Sequence, residues 1–157
     1  KVGNYIKSGV FDHFDGYKDL LWNIKLRSEI PSVLQAMDKA QSLISAGHKN
    51  IIFERKSTSP DYDIDVGVVG TDGSWSIVYQ LKYVEGIGNV SKNATKAAKQ
   101  LVKAPATDKW IEIKVHNGTW ADFQREGREK GIKTTFKSTY PNINLRIIFS
   151  DGTEKVY

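Results

Sequence analysis

The dipeptide Asp72-Gly73 stands between two runs of alternating β-branched and aromatic residues, which extend back to Asp63 and forward to Lys82. Asp-Gly in that setting is the strongest short-range signal for a β-hairpin, because a type I′ turn needs positive φ at both central positions. A two-residue turn sets Thr71 opposite Ser74, so that facing residues have numbers summing to 145. Asp65 then lies opposite Gln80, and Asp63 opposite Lys82. Side chains alternate along a strand. Ile64, Val66 and Val68 are therefore expected on one face with Ile77, Tyr79 and Leu81. The other face carries Asp63, Asp65, Gln80 and Lys82 at the end far from the turn, and Gly67, Val69 and Val78 leave the remainder nearly apolar. A solvated hairpin spreads its polar residues along the outer face. Two acids, an amide and a lysine gathered at one end point to a site.

The flanking sequence supplies a sheet with helices. Ile51-Ile52-Phe53 predicts a strand over 50–55, broken in character by Glu54, and Lys56 to Asp61 reads as a turn. Upstream, Pro31 and Gly47 bracket a helix whose apolar stripe is Val33, Met37, Ala40 and Ile44, flanked by Leu34 and Leu43. Glu29 precedes it as a favourable charge near the helix N-terminus. Downstream, a helix is expected over 90–104, with Ala94, Ala97, Ala98, Leu101 and Val102 on its buried side. Lys92, Lys96, Lys99 and Lys103 recur at helical spacing with no acid between the first and the last, so they share one stripe. Such a stripe is usually a solvated face. Following directly on the polar strand end, it is read here as a phosphate-binding face.

The rest of the chain completes the sheet. Lys109 to His116 alternates as a strand, Thr119 suits the cap of a helix running to Lys130, and Asp151-Gly152 marks a second hairpin between Leu145–Phe149 and Val156-Tyr157. Trp110, Trp120, Phe136 and Tyr140 are assigned to core packing, since no interleaved basic residues surround them. Residues 1–28 form an entry segment, helical over Tyr17–Leu26 and otherwise irregular, ahead of the main body of the domain over 29–157. The fold class is α/β (α+β): a central mixed β-sheet flanked by helices in one compact domain.

Bulk properties narrow the functions. The 157 residues suffice for a single core, and a net charge of +5 favours an anionic partner such as nucleic acid. The absence of cysteine excludes disulfides and thiolate zinc sites, and three scattered histidines leave Asp12-His13 as a surface feature. No apolar run is long enough to span a bilayer, so stable membrane insertion is not expected. The chain opens at Lys1 and is read as a domain of a longer protein.

The strand Asp63-Ile64-Asp65-Val66, a turn, and a strand ending in Gln80-Leu81-Lys82 resemble the core of the PD-(D/E)XK nuclease superfamily. Gln stands where an acid is commoner, a form also found in type IV restriction endonucleases. Ile51-Ile52-Phe53-Glu54-Arg55 is similar to the superfamily's first core strand, and the order of elements matches over residues 30–116. The resemblance implies a restriction-endonuclease-like core and a divalent metal, Mg²⁺ first, with Mn²⁺ or Zn²⁺ as alternatives. Its ligands would be Asp65, Gln80 and Glu54, with a main-chain carbonyl near Leu81 and with Asp63 as a secondary candidate. Glu54 is open between ligand, water-orienting base and plain strand-end charge. Lys82 would orient water or neutralise phosphate charge, and Gln100 lies in a helix that helps position substrate in related nucleases. Asp61 is passed over because it lies in turn-forming sequence.

The domain also resembles the C-terminal nuclease toxins of contact-dependent growth inhibition and related polymorphic toxins. That implies tRNA or DNA as substrate, a cognate immunity protein as partner, secretion or cell-surface delivery as part of a longer protein, and action in a target-cell cytoplasm. A monomer-sized unit with no duplex-gripping helix pair puts tRNA slightly ahead of DNA. Two other readings stay open at this point. One is a non-catalytic nucleic-acid-binding or protein-interaction module. The other is a DNA restriction or repair nuclease of the same superfamily.

Overall fold

The chain begins with helices α1 (Val2–Ser8), α2 (Tyr17–Trp22) and α3 (Ile30–Ser45), in a computed structural model that describes residues 1–157. Strands β1 (Ile51–Thr58), β2 (Asp61–Val69) and β3 (Trp75–Gly86) follow as an antiparallel meander. Helix α4 (Val90–Leu101) then crosses to β4 (Asp108–Asn117), which lies parallel to β3. Short helices α5 (Trp120–Arg125), α6 (Arg128–Gly131) and α7 (Lys137–Thr139) lead to β5 (Ile143–Ile148), parallel to β4, and β6 (Glu154–Val156) returns antiparallel. The result is one six-stranded mixed sheet in sequential order with helices on both faces. Parallel neighbours require such crossovers, and the chain supplies one at each parallel step.

Two cores sandwich the sheet. On one face Val33, Met37, Ala40 and Leu43 of α3 meet Phe53, Val66, Tyr79 and Leu81, joined by Phe11, Tyr17 and Leu20 from the entry segment. On the other face the alanines of α4 let that helix approach closely over Ile64, Val78, Ile111 and Ile113. Val102, expected in this core, lies just past the end of α4 and is exposed. The entry segment also closes the β1 edge. The Phe53 N–H donates to the Asp15 carbonyl at 2.8 Å, and a Cβ on Gly16 (φ 82°) would sit 1.7 Å from the Phe53 carbonyl oxygen. Only glycine fits there, and an otherwise open strand edge is protected.

Several expectations are corrected. The turn between β2 and β3 has three residues, Thr71 to Gly73, closed by the Gly70 N–H donating to the Ser74 carbonyl at 2.8 Å. Val69 therefore faces Trp75, and one extra residue in β3 restores the expected register at Val68:Ile77, Gly67:Val78 and Val66:Tyr79. The longer loop and the bulge cancel. Strand β1 runs to Thr58, which pairs with Asp61, so Lys56, Ser57 and Asp61 are strand rather than turn. Thr119 does cap a helix, in a reciprocal arrangement with Asp122, but Gly127 at φ 69° breaks it before Lys130. Helix α1 had no strong periodic signal and was not foreseen.

One polar network lies inside the sheet-helix sandwich. Glu112 of β4 is almost fully buried, with Lys39 Nζ of α3 at 2.7 Å and Arg146 Nη1 of β5 at 3.3 Å from its Oε2. Gln35 Nε2 donates to the Glu112 carbonyl at 3.3 Å. Buried charges of this kind are tolerable only when paired, and this set pins α3 across the middle of the sheet.

Candidate active site

Regular pairing fails on both sides of β2 at one level of the sheet. Phe53 pairs with Val66 and Arg55 with Ile64, but Glu54 and Asp65 between them do not pair. Glu54 holds φ 51°, the one non-glycine residue of the chain at positive φ. A residue with a Cβ rarely adopts that conformation, which costs of order 1–3 kcal/mol and is typically retained where function uses it. On the other side, the β2–β3 ladder ends at Val66:Tyr79, so the expected pairs 65:80 and 63:82 do not form as ladder rungs. Side chains bridge the gap instead. The Leu81 N–H donates to Asp65 Oδ2 at 2.8 Å, and Gln80 Nε2 donates to the Asp63 carbonyl at 2.8 Å.

This break also turns the strand over. Ile64 joins the core beneath α4, whereas Val66 lies in the core beneath α3. The expectation that they share a face assumed unbroken alternation, and the kink at Glu54 and Asp65 interrupts it. The polar gathering nevertheless forms. Glu54, Asp63, Asp65, Gln80 and Lys82 all line one cavity of about 290 Å³ between the N-terminal end of α3 and α4. Leu20, Asn23, Glu29, Ser32 and Val33 wall it on one side and Gln100 on the other.

The electrostatics of this cavity are unsettled by design of its burial. Burial, then the charges of Asp65 and Asp63, push the Glu54 carboxyl up to about 7. Burial raises Asp65 to about 6, against the lowering effect of the Leu81 N–H and of Lys82. Asp63 is likewise raised by burial, with Lys56 and Lys82 opposing. Burial depresses Lys82, whose ammonium feels Asp65, Lys96 and Asp63 only through space. Burial thus opposes ionisation of all three acids more strongly than Lys56 and Lys82 favour it.

The donor set suits a hard divalent cation. Gln80 Nε2 is committed to the Asp63 carbonyl, and flipping the amide would set two acceptors against each other. Gln80 Oε1 is therefore an acceptor, and it is buried without a donor, as is Asp63 Oδ1. No three acidic or imidazole side chains close into a cage. A cation would be held by mixed oxygens, from Asp65, Glu54 and the Gln80 amide, as Mg²⁺ and Mn²⁺ accept. With no histidine or cysteine lining the cavity, zinc is poorly served.

The lysine stripe divides. Lys99 lines a second hollow with Lys56, Ser57, Thr58 and Tyr62, which shares Asp63 and Gln100 with the main cavity. Lys96 lies near enough for its charge to depress Lys82. Lys92, Lys96 and Lys103 line neither hollow, and Lys103 falls beyond the end of α4. Gln100 Oε1 is buried without a partner where the two hollows meet. The sequence reading missed Lys56, whose Nζ lies 3.9 Å from Asp63 Oδ2, because it ended β1 too early to see the Lys56:Asp63 pair. It also missed Tyr83, which lines the cavity and shares a 2.6 Å hydrogen bond with His116 Nδ1.

No protein-family model, curated protein or solved structure matches this chain. No helix is long and apolar enough to cross a membrane.

Proposed function

We propose that the chain is a metal-dependent nuclease domain hydrolysing phosphodiester bonds of nucleic acid, with tRNA ahead of DNA as substrate. The observation that carries this reading is the convergence of Glu54, Asp65, Gln80 and Lys82 on one cavity at a strained break in the sheet. The succession α3–β1–β2–β3–α4–β4 supports a restriction-endonuclease-like core, as the resemblance in the Asp and Gln-x-Lys strands implies. A polyanionic substrate suits the net charge of +5 and the lysines beside the cavity. One basic helix, α4, borders the cleft without a second to grip a duplex, which favours a folded RNA. The resemblance to contact-dependent growth inhibition toxins extends the proposal to a protein delivered into a target cell and neutralised by a cognate immunity protein.

The residues divide the work by their chemistry. Asp65, Glu54 and Gln80 Oε1 would hold the cation, with Asp63 adding negative charge beside them. When bound, a divalent ion supplies Lewis-acid charge that acidifies water and offsets charge on phosphoryl oxygens. Lys82 brings a half-buried ammonium to the same cavity, where low polarity strengthens its hold on developing phosphate charge. If Glu54 instead stands off the cation, its carboxyl, raised by burial to about 7, can accept a proton from water near neutral pH.

Incubation of the purified domain with total RNA and with plasmid DNA, each with Mg²⁺ and with chelator, tests the reading. The expected result is Mg²⁺-dependent cleavage, slowed about a hundredfold or more by Lys82→Ala. Nucleic acid bound tightly but left intact under all these conditions would replace the nuclease with a binding module.

A further inference from the structure

The segment that walls the cavity on its α3 side also turns apolar side chains outward. The chain exposes six large apolar side chains, and three of them, Trp22 (68%), Leu26 (61%) and Ile30 (36%), fall between residues 22 and 30. Single exposed apolar residues are ordinary, but a cluster beside a polar cavity is not. Ile6, Val102 and Val156 are the ordinary kind, scattered elsewhere. Trp22 is the only aromatic of the six, and its neighbour Asn23 lines the cavity.

Charge indicates what the cluster receives. Lys25 Nζ stands 3.5 Å from the centre of the Trp22 ring, and Arg27 follows two residues later. With Lys25 over one face, the remaining exposure of Trp22 leaves the other face open. An aromatic face beside free cations offers a base a stacking surface and its phosphate a counter-charge. An apolar protein patch would use the ring without those cations, whereas a nucleotide uses ring and cations together.

We propose that Trp22 is a stacking platform for an unpaired nucleobase of the nucleotide chain entering the cavity, with Lys25 as its phosphate partner. The substrate class is therefore single-stranded or looped nucleic acid, because a base held in a duplex has no free face to offer. The proposal rests on the nuclease reading for where the chain is cut, but not for the binding itself.

The test measures binding by fluorescence anisotropy in chelator, where cleavage cannot intrude. The probes are one short sequence as single-stranded RNA, as single-stranded DNA and as the corresponding duplexes, with a 2-aminopurine reporter in the single strands. Wild type, Trp22→Ala and Trp22→Phe are compared, all at an exposed position that should leave folding intact. Trp22→Ala is expected to weaken single-strand binding roughly five- to a hundredfold and to abolish 2-aminopurine quenching. Duplex binding should change less than twofold, and Trp22→Phe should retain most of the affinity. The RNA and DNA arms tell which sugar the platform accepts. Unchanged single-strand affinity in Trp22→Ala, or an equal loss on duplex, would overturn the platform. Cleavage by the wild type, measured separately with Mg²⁺, distinguishes the two readings. Trp22-dependent binding without cleavage removes the nuclease and keeps the platform, and the reverse outcome does the opposite.

Discussion

The β1–β3 meander has two ends made of the same three strands and built to different rules. Towards the turn, between the bulge at Val68/Val69 and the break, Val66 and Val68 pair in register with Tyr79 and Ile77, and Val66, Val68 and Tyr79 are buried. Some residues away, Glu54 sits at positive φ, β2 leaves β3, and the Asp65 carboxylate and the Gln80 amide bridge the gap through single hydrogen bonds. The first end stabilises and the second is strained, half-buried and charged. A sheet that can be this regular has no packing reason to be so irregular beside it. Strain tolerated at a cluster of ionisable groups is the pattern of a site maintained at a cost to stability.

Substitutions at the two ends should separate cleanly. At the strained end, Asp65→Asn is expected to slow cleavage by about a thousandfold or more, since ~4 kcal/mol of barrier corresponds to three powers of ten. Its melting temperature should stay near wild type, because an amide oxygen can still accept from Leu81. A cleavage rate within tenfold of wild type would break the assignment. At the regular end the pattern reverses. Val66→Ala should cost about 2–3 kcal/mol of stability in urea titration and leave kcat of the surviving folded protein unchanged.

A pH series sharpens the contrast. Glu54 has its folded carboxyl raised from 4.5 to about 7, so the folded state holds the proton more tightly than the unfolded chain does. Stability from this group is complete below pH 4.5 and is lost as pH rises through 7. Glu54→Gln should therefore stabilise the protein by about 1–2 kcal/mol at pH 8, after allowance for partial exposure, and the gain should vanish under acid conditions. A destabilised Glu54→Gln at pH 8 would mean that its ionised form is well compensated. The smallest effect is expected outside both ends. Changing Lys96 and Lys99 to glutamine should flatten the log–log salt dependence of nucleic-acid binding by roughly one to two units, with little change in melting temperature. The same change at Lys92 and Lys103 should do less, since Lys99 lines the second hollow and Lys96 acts on Lys82 through space, whereas Lys92 and Lys103 do neither.

Local pattern made much of this architecture legible. Alternation and the Asp72-Gly73 signal placed the hairpin, and the register came out as expected over Val66–Val68 although the turn did not, because the three-residue loop and the bulge offset each other; the pairs 65:80 and 63:82 did not form. Helix α3 was bounded by Pro31 and by the chain turning at Gly47, which local residues specify. What stayed hidden depends on contacts across the fold. Nothing near Glu54 in sequence announces positive φ, since the break is imposed from both sides of β2. The flip of Ile64 follows from that break. Lys39, Glu112 and Arg146 come from three separate elements, so no periodicity could pair them. Trp22 was read as part of an amphipathic helix, and only the folded chain turns it outward beside the cavity.

Asp65 splits its duties between two masters. One carboxylate oxygen clasps Leu81 and so holds the edge of the opening in shape, while the group as a whole lines the cavity. A change there that removes the acceptor oxygen touches scaffold and chemistry together. Lys82 is tied to its surroundings only through space. An inert form of the molecule with its surface intact is therefore best reached at Lys82. That form would suit capture of an uncut substrate or of a neutralising partner, each meeting the surface it meets on the active protein.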